Sequence, residues 1–121
     1  MIHLSPLPGT YTYTGEGLGR ITEKARRDLD VLQSGGVDAV IVENFGDAPF
    51  AKYAAKETVA MMTVVVNDIV HAARVPVGVN VLRNDGIAAL SIAAATGAEF
   101  VRVNVFCGVA FTDQGMVEGN A

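Results

Sequence analysis

Two matching stretches decide the fold: Gly36–Asn44, GVDAVIVEN, and Gly97–Val105, GAEFVRVNV. Each begins with glycine, has an acidic residue at its third position, continues into a valine-rich run and carries polar side chains near its end. Short valine- and isoleucine-rich runs of this kind are typical of strands buried in a parallel sheet. The internal repeat therefore predicts two equivalent strands, strands two and four of the chain.

Three helical segments separate the predicted strands. Apolar residues at helical spacing predict a helix from about Gly17 to Gly35-Gly36, where glycine accepts the left-handed conformation. A second predicted helix ends before Pro76, because the proline ring disfavours a helical conformation of the residue in front of it. The third, Gly86–Thr96, follows Asp85, a good N-cap. The other predicted segments are the strands Met1–Leu4, Ala39–Val42, Val77–Val81 and Phe100–Val105, followed by a polar loop to the chain end.

The alternation of strands and helices predicts a parallel sheet, because parallel neighbours need a crossover connection. An open doubly wound sheet and part of a barrel both fit this order, and the internal repeat favours the barrel. The predicted fold class is α/β, a parallel (β/α)8 TIM-like barrel. Residues 1–121 are predicted to form one domain, the first four βα units of that barrel.

The length of the chain bears on its partners. A whole barrel takes about 250 residues, so 121 residues are expected to be the N-terminal half of a longer protein. Four units alone would expose a sheet edge and part of the barrel interior. We therefore expect a homo-oligomer, or completion by the missing half-barrel, which would also carry the phosphate site common after strands seven and eight.

Composition excludes several classes of function. Half of the residues are hydrophobic, the net charge is −4 and the pI is near 5.0, which argues against a nucleic-acid surface. No stretch reaches the roughly 20 apolar residues of a membrane span, although peripheral association stays open. The single cysteine, Cys107, is expected to be a packed thiol. The lack of a possible internal disulfide and of a signal peptide at the start predicts a cytoplasmic setting.

Two residues are candidate catalytic groups because they end predicted strands, where barrel enzymes place functional side chains. His3 ends strand one, and a histidine hydrogen-bonded to the adjacent proline-rich loop is an equally good interpretation. Glu43 ends strand two and is a candidate general base. The alternative for Glu43 is a turn before Pro49, but a carboxylate after four apolar strand residues favours a function.

Seven further residues are candidate substrate-binding groups. Arg83 lies beside a helix N-terminus, which attracts anions. Arg102 is predicted to point into the barrel and to pair with Glu43, because alternate strands share interior layers. The complete set is Asn44, Asn80, Arg83, Arg102, Asn104, Asp113 and Gln114. The last two lie in the loop after strand four, which is either a ligand-binding loop or an ordinary solvated one. No metal site is predicted, and the residues identify no cofactor.

Several of these segments together resemble the BtpA family, also called BtpA/SgcQ. The matching pieces are MIHL at 1–4, PLPG at 6–9, GGVD at 35–38, ENFGDAPF at 43–50, VGVNVLRND at 77–85, RVNV at 102–105 and TDQG at 112–115. The resemblance covers essentially the whole chain and implies a TIM-like barrel related to phosphate-binding barrels. It establishes no catalytic residue, so the candidate sites rest on position and chemistry.

The resemblance leaves two functions open. Cyanobacterial members of the family are needed for photosystem I biogenesis, which implies an assembly or stability factor for that complex. Relatives elsewhere resemble uncharacterised enzymes. The second hypothesis is therefore a small-molecule enzyme, a lyase, isomerase or nucleosidase acting on a phosphorylated sugar or nucleoside. Whether the chain is an enzyme stays open at this point.

Overall fold

The computed structural model describes residues 1–119 and contains one parallel sheet covered by helices. Its sheet strands are β1 (Ile2–His3), β2 (Val40–Glu43), β3 (Val77–Asn80) and β4 (Phe100–Val101). The helices are α1 (Leu18–Ser34), α2 (Lys56–Ala72) and α3 (Gly86–Thr96), and a short 3-10 turn spans Phe45–Asp47. Two further strands, β5 (Val109–Thr112) and β6 (Gly115–Glu118), form a separate antiparallel hairpin.

The order of the strands distinguishes between the two predicted architectures. All neighbours in the sheet are parallel, and they follow one another in chain order, β1-β2-β3-β4. A doubly wound sheet reverses its strand order at a switch point, and residues 1–119 contain no such reversal. The fold is therefore α/β with a sequentially wound parallel sheet, the arrangement that the first half of a (β/α)8 barrel has.

One face of the sheet carries the hydrophobic core. Val40, Val42, Val77 and Val79 are buried against the helices, together with Ile21, Leu29, Met62, Val66, Ile69 and Ile92. Because side chains alternate along a strand, Ile41, Glu43, Gly78 and Asn80 lie on the opposite face, which we call the inner face. Phe100 also lies there, with its ring directly against Gly78.

The helix ends follow the sequence signals. Gly36 adopts a positive φ of 80° immediately after α1, which explains why glycine stands there. The Asp85 carboxylate accepts the Ala88 N–H at 2.9 Å, so the predicted N-cap of α3 is confirmed. No helix in residues 1–119 combines the length and the apolar character needed to cross a membrane.

Strand four is shorter than predicted, for a physical reason. Its ladder stops at Val101, so Arg102 and Asn104 lie beyond the strand. Asn84 supplies a side-chain replacement for the ladder. Its Oδ1 accepts the Val105 N–H and its Nδ2 donates to the Val105 carbonyl, both at 2.8 Å. These two bonds satisfy backbone groups that would otherwise continue the sheet.

The predicted polar loop after strand four is wrong, because most of it forms the β5–β6 hairpin. Asp113 and Gln114 are the two central residues of its turn, and Gly115 follows with a φ of 99°. The Thr112 hydroxyl donates to the Gly115 carbonyl at 2.9 Å. A two-residue loop followed by glycine, between the short apolar runs at residues 109–111 and 116–117, is a hairpin signal that the sequence does contain.

Candidate functional site

Four of the predicted site residues meet at the carboxyl edge of the sheet, three at strand ends and one directly after β4. The register pairs His3 with Glu43 and Glu43 with Asn80. Arg102 directly follows β4, and its N–H donates to the Val79 carbonyl at 2.9 Å. Because the strands are parallel, their polar ends lie side by side on this edge. We call His3, Glu43, Asn80 and Arg102 the strand-end cluster.

Glu43 lies at the centre of the cluster. Its side chain is only 6% exposed, with Oε1 4.0 Å from His3 Nε2 and Oε2 3.6 Å from Arg102 Nη1. A separation of 3.6 Å joins opposite charges but is too long for a hydrogen bond. Within residues 1–119, Oε2 accepts no hydrogen bond at all. A buried carboxylate oxygen without a donor is costly, so this atom is suited to accept a proton or a donor from a ligand.

Arg102 is held in place by Asn80. Its Nη1 donates to Asn80 Oδ1 at 3.1 Å, and Asn80 Nδ2 donates back to the Arg102 carbonyl at 2.9 Å. The predicted ion pair with Glu43 is present. The guanidinium lies on the inner face, the side predicted to point into the barrel, and its side chain is 51% exposed there. The repeat aligned Glu43 with Asn104, whereas the sheet register brings it beside Arg102.

His3 contacts an aromatic ring next to the cluster. Its imidazole stacks on Phe45 with ring centroids 4.4 Å apart, and its side chain is 47% exposed. In the part of the chain that the structure describes, the ring makes no hydrogen bond to the proline-rich loop. His3 is therefore positioned on one side but open to solvent on the other, as a group that exchanges protons with a ligand must be.

Asn44 and Asp47 connect three loops beneath the site. Asn44 Oδ1 accepts the Leu82 N–H at 2.8 Å, and its Nδ2 donates to Asp47 Oδ2 at 3.2 Å. Asp47 Oδ1 accepts the Leu7 N–H at 2.8 Å. Both side chains are buried and their polar atoms are used within the protein. The hydrogen bonds of Asn44 hold the Leu82 and Asp47 segments together. Its predicted contact with substrate stays a prediction.

The pH dependence of stability offers a test of the Asp47 environment. Burial raises the pKa of the Asp47 carboxyl, and hydrogen bonds from Leu7, Asn44 and Thr10 oppose this only in part. The folded state thus holds this proton more tightly than the unfolded chain. The resulting stabilisation is complete below the unfolded aspartate pKa and is lost as the pH rises through the folded value.

We accordingly expect the wild-type protein to lose stability relative to Asp47→Asn as the pH increases from about 3 to about 7. The asparagine keeps a carbonyl oxygen for the Leu7 N–H, so the comparison isolates the titration of the carboxyl. Urea unfolding of both proteins across this range measures the difference. A free-energy difference that is constant with pH would contradict the expectation.

The remaining predicted residues form a second group on the same edge. Arg83 donates from Nε to Gln114 Oε1 at 3.0 Å and from Nη2 to Asp113 Oδ1 at 2.9 Å. Asn104 Nδ2 donates to the Arg83 carbonyl at 3.1 Å. The guanidinium lies 5.4 Å from the ring centroid of Phe50. Arg83, Gln114 and Phe50 line a pocket of about 290 Å³ under the hairpin.

A second pocket of about 220 Å³ lies next to Asn44, Asp47, Phe50 and Thr58. Neither pocket is lined by the strand-end cluster, which is instead open along the inner face. Within residues 1–119, no group of three or more His, Cys, Asp or Glu residues is placed to hold a metal ion. The side chains at this edge carry carboxylate, imidazole, guanidinium and amide groups.

The role of one residue near this edge was not predicted from the sequence, and the burial of another was predicted wrongly. Asn84 is buried and connects β3 to both the segment after β4 and the hairpin, through Val105 and the Glu118 carbonyl. Its position before Asp85 suggested only a helix start, and no local signal distinguishes the two roles. Cys107, expected to be packed, is exposed.

Comparison with known proteins identifies the lineage of the chain. A family model described as the BtpA family matches residues 1–121. The chain is 58% identical over its whole length to an uncharacterised protein of Thermococcus kodakarensis, covering 46% of that protein. It is 48% identical, again over its whole length, to the "Photosystem I biogenesis protein BtpA" of Synechocystis, covering 42% of it. The "Putative sgc region protein SgcQ" of Escherichia coli is 38% identical over 99% of the chain and 44% of that protein.

These matches also show how much of each relative the chain covers. It spans about half the length of the curated relatives that it matches. No solved structure shows a significant match.

Proposed function

This chain belongs to the BtpA family, and from that premise we propose that it carries the general base of a small-molecule enzyme. The observation that carries the proposal is the Glu43 carboxylate, buried at a strand end with one oxygen that accepts no hydrogen bond in residues 1–119. The proposed reaction class is a lyase, isomerase or nucleosidase, and the substrate is a phosphorylated sugar or nucleoside.

The cluster supplies the groups that such a reaction needs. Glu43 takes a proton from a substrate C–H or O–H bond, which leaves a negative charge on the substrate. The half-exposed Arg102 guanidinium lies 3.6 Å from Glu43 and stabilises that charge. His3, 4.0 Å away on the other side, acts as the second acid or base. Asn80 fixes the orientation of Arg102 by two hydrogen bonds.

An anionic substrate is supported by the charges at this edge. The chain as a whole is acidic, with a net charge of −4. Arg83, Arg102 and Lys52 nevertheless lie at the carboxyl edge or in the loops that border it. Guanidinium groups bind phosphate and carboxylate by paired hydrogen bonds, so cations retained here favour an oxyanion in the ligand.

The proposal is tested by a turnover screen of the whole protein against phosphorylated sugars and nucleosides, followed by proton and phosphorus NMR. Running the screen in deuterium oxide separates the reaction classes. A lyase or isomerase that uses Glu43 as base is expected to place solvent deuterium on carbon, whereas a nucleosidase is not. A folded protein that converts no member of the panel would contradict the proposal.

A second function has a specific observation in its favour. The Synechocystis relative, 48% identical over this whole chain, bears the name of a photosystem I biogenesis protein. We propose this role for the chain only where its source is photosynthetic. Expression in a Synechocystis strain lacking that relative, with photosystem I content as the readout, tests the role. Restoration by the Glu43→Gln variant would separate the assembly role from base catalysis.

We also propose that further βα units cover the inner face in the whole protein and close a barrel, and that the protein works in the cytoplasm. The exposed guanidinium of Arg102 and the partly exposed Phe100 on this face support a covering layer. Residues 1–121 expressed alone are then expected to self-associate. Sedimentation velocity showing a clean monomer of this segment would contradict the expectation.

A further inference from the structure

The pocket under the hairpin combines positive charge with apolar surface. Its volume is about 290 Å³, and its walls include Arg83, Lys52, Phe50, Gln114 and Met116. The strand-end cluster does not line this pocket, so base catalysis by Glu43 does not account for the groups that do. Glu118 also lines the pocket, 4.0 Å from Lys52, so Arg83 is the principal cation for a ligand. A guanidinium beside an aromatic wall and a small concave volume matches a small molecule that has an oxyanion attached to a less polar body.

Arg83 presents one defined edge to the hairpin. Its side chain is only 22% exposed and lies against the Phe50 ring. The hydrogen bonds leave from Nε, to Gln114 Oε1 at 3.0 Å, and from Nη2, to Asp113 Oδ1 at 2.9 Å. These two nitrogens form the side of a guanidinium that can hold two oxygens of one carboxylate or phosphate.

The chain contains an internal comparison for this geometry. Arg26 uses the same two nitrogens to hold both oxygens of the single Asp68 carboxylate, with Nη2 to Oδ1 at 2.7 Å. At Arg83 the same edge is divided between an amide oxygen and one carboxylate oxygen. The two acceptors belong to different side chains, so both must be ordered to occupy one edge. A ligand oxyanion would satisfy both nitrogens with a single group.

Asp113 is a weak competitor for that position. Its side chain is 82% exposed in the hairpin turn, and exposed ion pairs contribute little to stability. No residue of the hairpin belongs to the buried core, and Phe111 is 87% exposed. Polar contacts such as Asn84 Nδ2 to the Glu118 carbonyl, at 3.2 Å, connect the hairpin to the sheet. The turn can therefore yield to a ligand without disturbing the core.

We propose that the hairpin-facing edge of Arg83, at the wall of this pocket, is an oxyanion subsite for a small phosphorylated or carboxylated molecule, and that the Asp113 carboxylate occupies the oxyanion's position on that edge until the ligand displaces it. The inference rests on the proposed function in that this molecule is the enzyme's substrate. Removal of the Asp113 carboxylate is then expected to increase the affinity for an anionic ligand, although the substitution adds no contact to that ligand.

The test is isothermal titration calorimetry of the whole protein with ribose 5-phosphate, ribonate and ribose, which distinguish phosphate, carboxylate and the uncharged body. Asp113→Ala and Asp113→Asn are expected to increase affinity for an anionic probe by up to about fivefold. Arg83→Gln is expected to decrease it by about 10- to 100-fold. Ribose should respond to none of them. Asp38→Ala removes an exposed acid elsewhere, and should change nothing.

The exposed turn position of Asp113 keeps its variants folded, which circular dichroism checks. Unchanged or weaker affinity for both anions in Asp113→Ala, or no binding of either, overturns the inference. The titrations are repeated in the Glu43→Gln background, where chemistry is absent. If the Asp113 variants bind the anions more tightly but the protein turns over no substrate, only the proposed enzyme function is refuted. If turnover depends on Glu43 but the Asp113 variants bind the anions no more tightly than wild type, only this inference is refuted.

Discussion

Replacement of Glu43 by glutamine is expected to lower turnover by a factor of about 10² to 10⁴, the range that a positioned general base contributes. The amide is nearly the same size as the carboxylate but cannot accept the substrate proton. It still fits the site, because the side chain is 6% exposed and, among the described residues, the basic groups within 4.0 Å of its carboxylate are those of His3 and Arg102. We expect the loss in kcat, with KM nearly unchanged.

A matched substitution controls for the change of charge. Glu99→Gln neutralises an exposed carboxylate that precedes β4, at the opposite end of the strand from the site. It is expected to leave kcat and KM as they are. Glu43→Asp should restore part of the activity, since it returns a carboxylate at a shorter reach. If Glu43→Gln kept turnover within about tenfold of wild type, Glu43 would not be the base.

Gly46→Ala is expected to destabilise the protein by about 1–3 kcal/mol, the usual result of forcing extra atoms into a packed region. A Cβ at this position would lie 2.6 Å from both the Leu4 carbonyl oxygen and the Pro6 nitrogen. Both atoms belong to the backbone, so neither can rotate away. Moving the Gly46 segment away from residues 4–6 would also weaken the hydrogen bond from the Gly46 N–H to the Leu4 carbonyl, which is 3.0 Å long.

The same substitution at another glycine provides the control. Gly19 lies in the first turn of α1, and a Cβ there meets nothing within 4 Å. Alanine favours a helix over glycine, so Gly19→Ala should maintain stability or increase it by up to about 1 kcal/mol. Equilibrium unfolding in guanidinium chloride compares the two variants with wild type. Equal free energies for Gly46→Ala and Gly19→Ala would contradict the steric argument.

Much of the fold was predictable because the decisive interactions are local. The spacing of Ile21, Ala25 and Leu29 marks the buried side of α1, and Asp85 caps α3 through a bond three residues away. Strand positions followed from short valine-rich runs between these helices. Because parallel strands share one carboxyl edge, the placement of Glu43 and Arg102 near each other was also predictable.

What the sequence could not predict depends on contacts between distant residues. The segment after β4 is held by Asn84, which lies 21 residues before Val105 and bonds both of its backbone groups. The exposure of Arg102 depends on which face of the sheet lacks helices. The unsatisfied oxygen of Glu43 depends on a separation of 3.6 Å from Arg102 that no periodicity specifies. The hairpin is different, since its short apolar runs and the glycine after its two-residue turn are local features of the sequence.

The division of the sheet into two faces has a consequence for the evolution of such a protein. The apolar side chains that pack against the helices and the polar groups of the strand-end cluster alternate along the same strands, so adjacent residues face different surroundings. Each cluster residue lies at the end of a different strand or directly after it. A substitution at one such position can therefore change the groups on the inner face while leaving the core intact, so the chemistry of this edge can vary in single steps without loss of the fold.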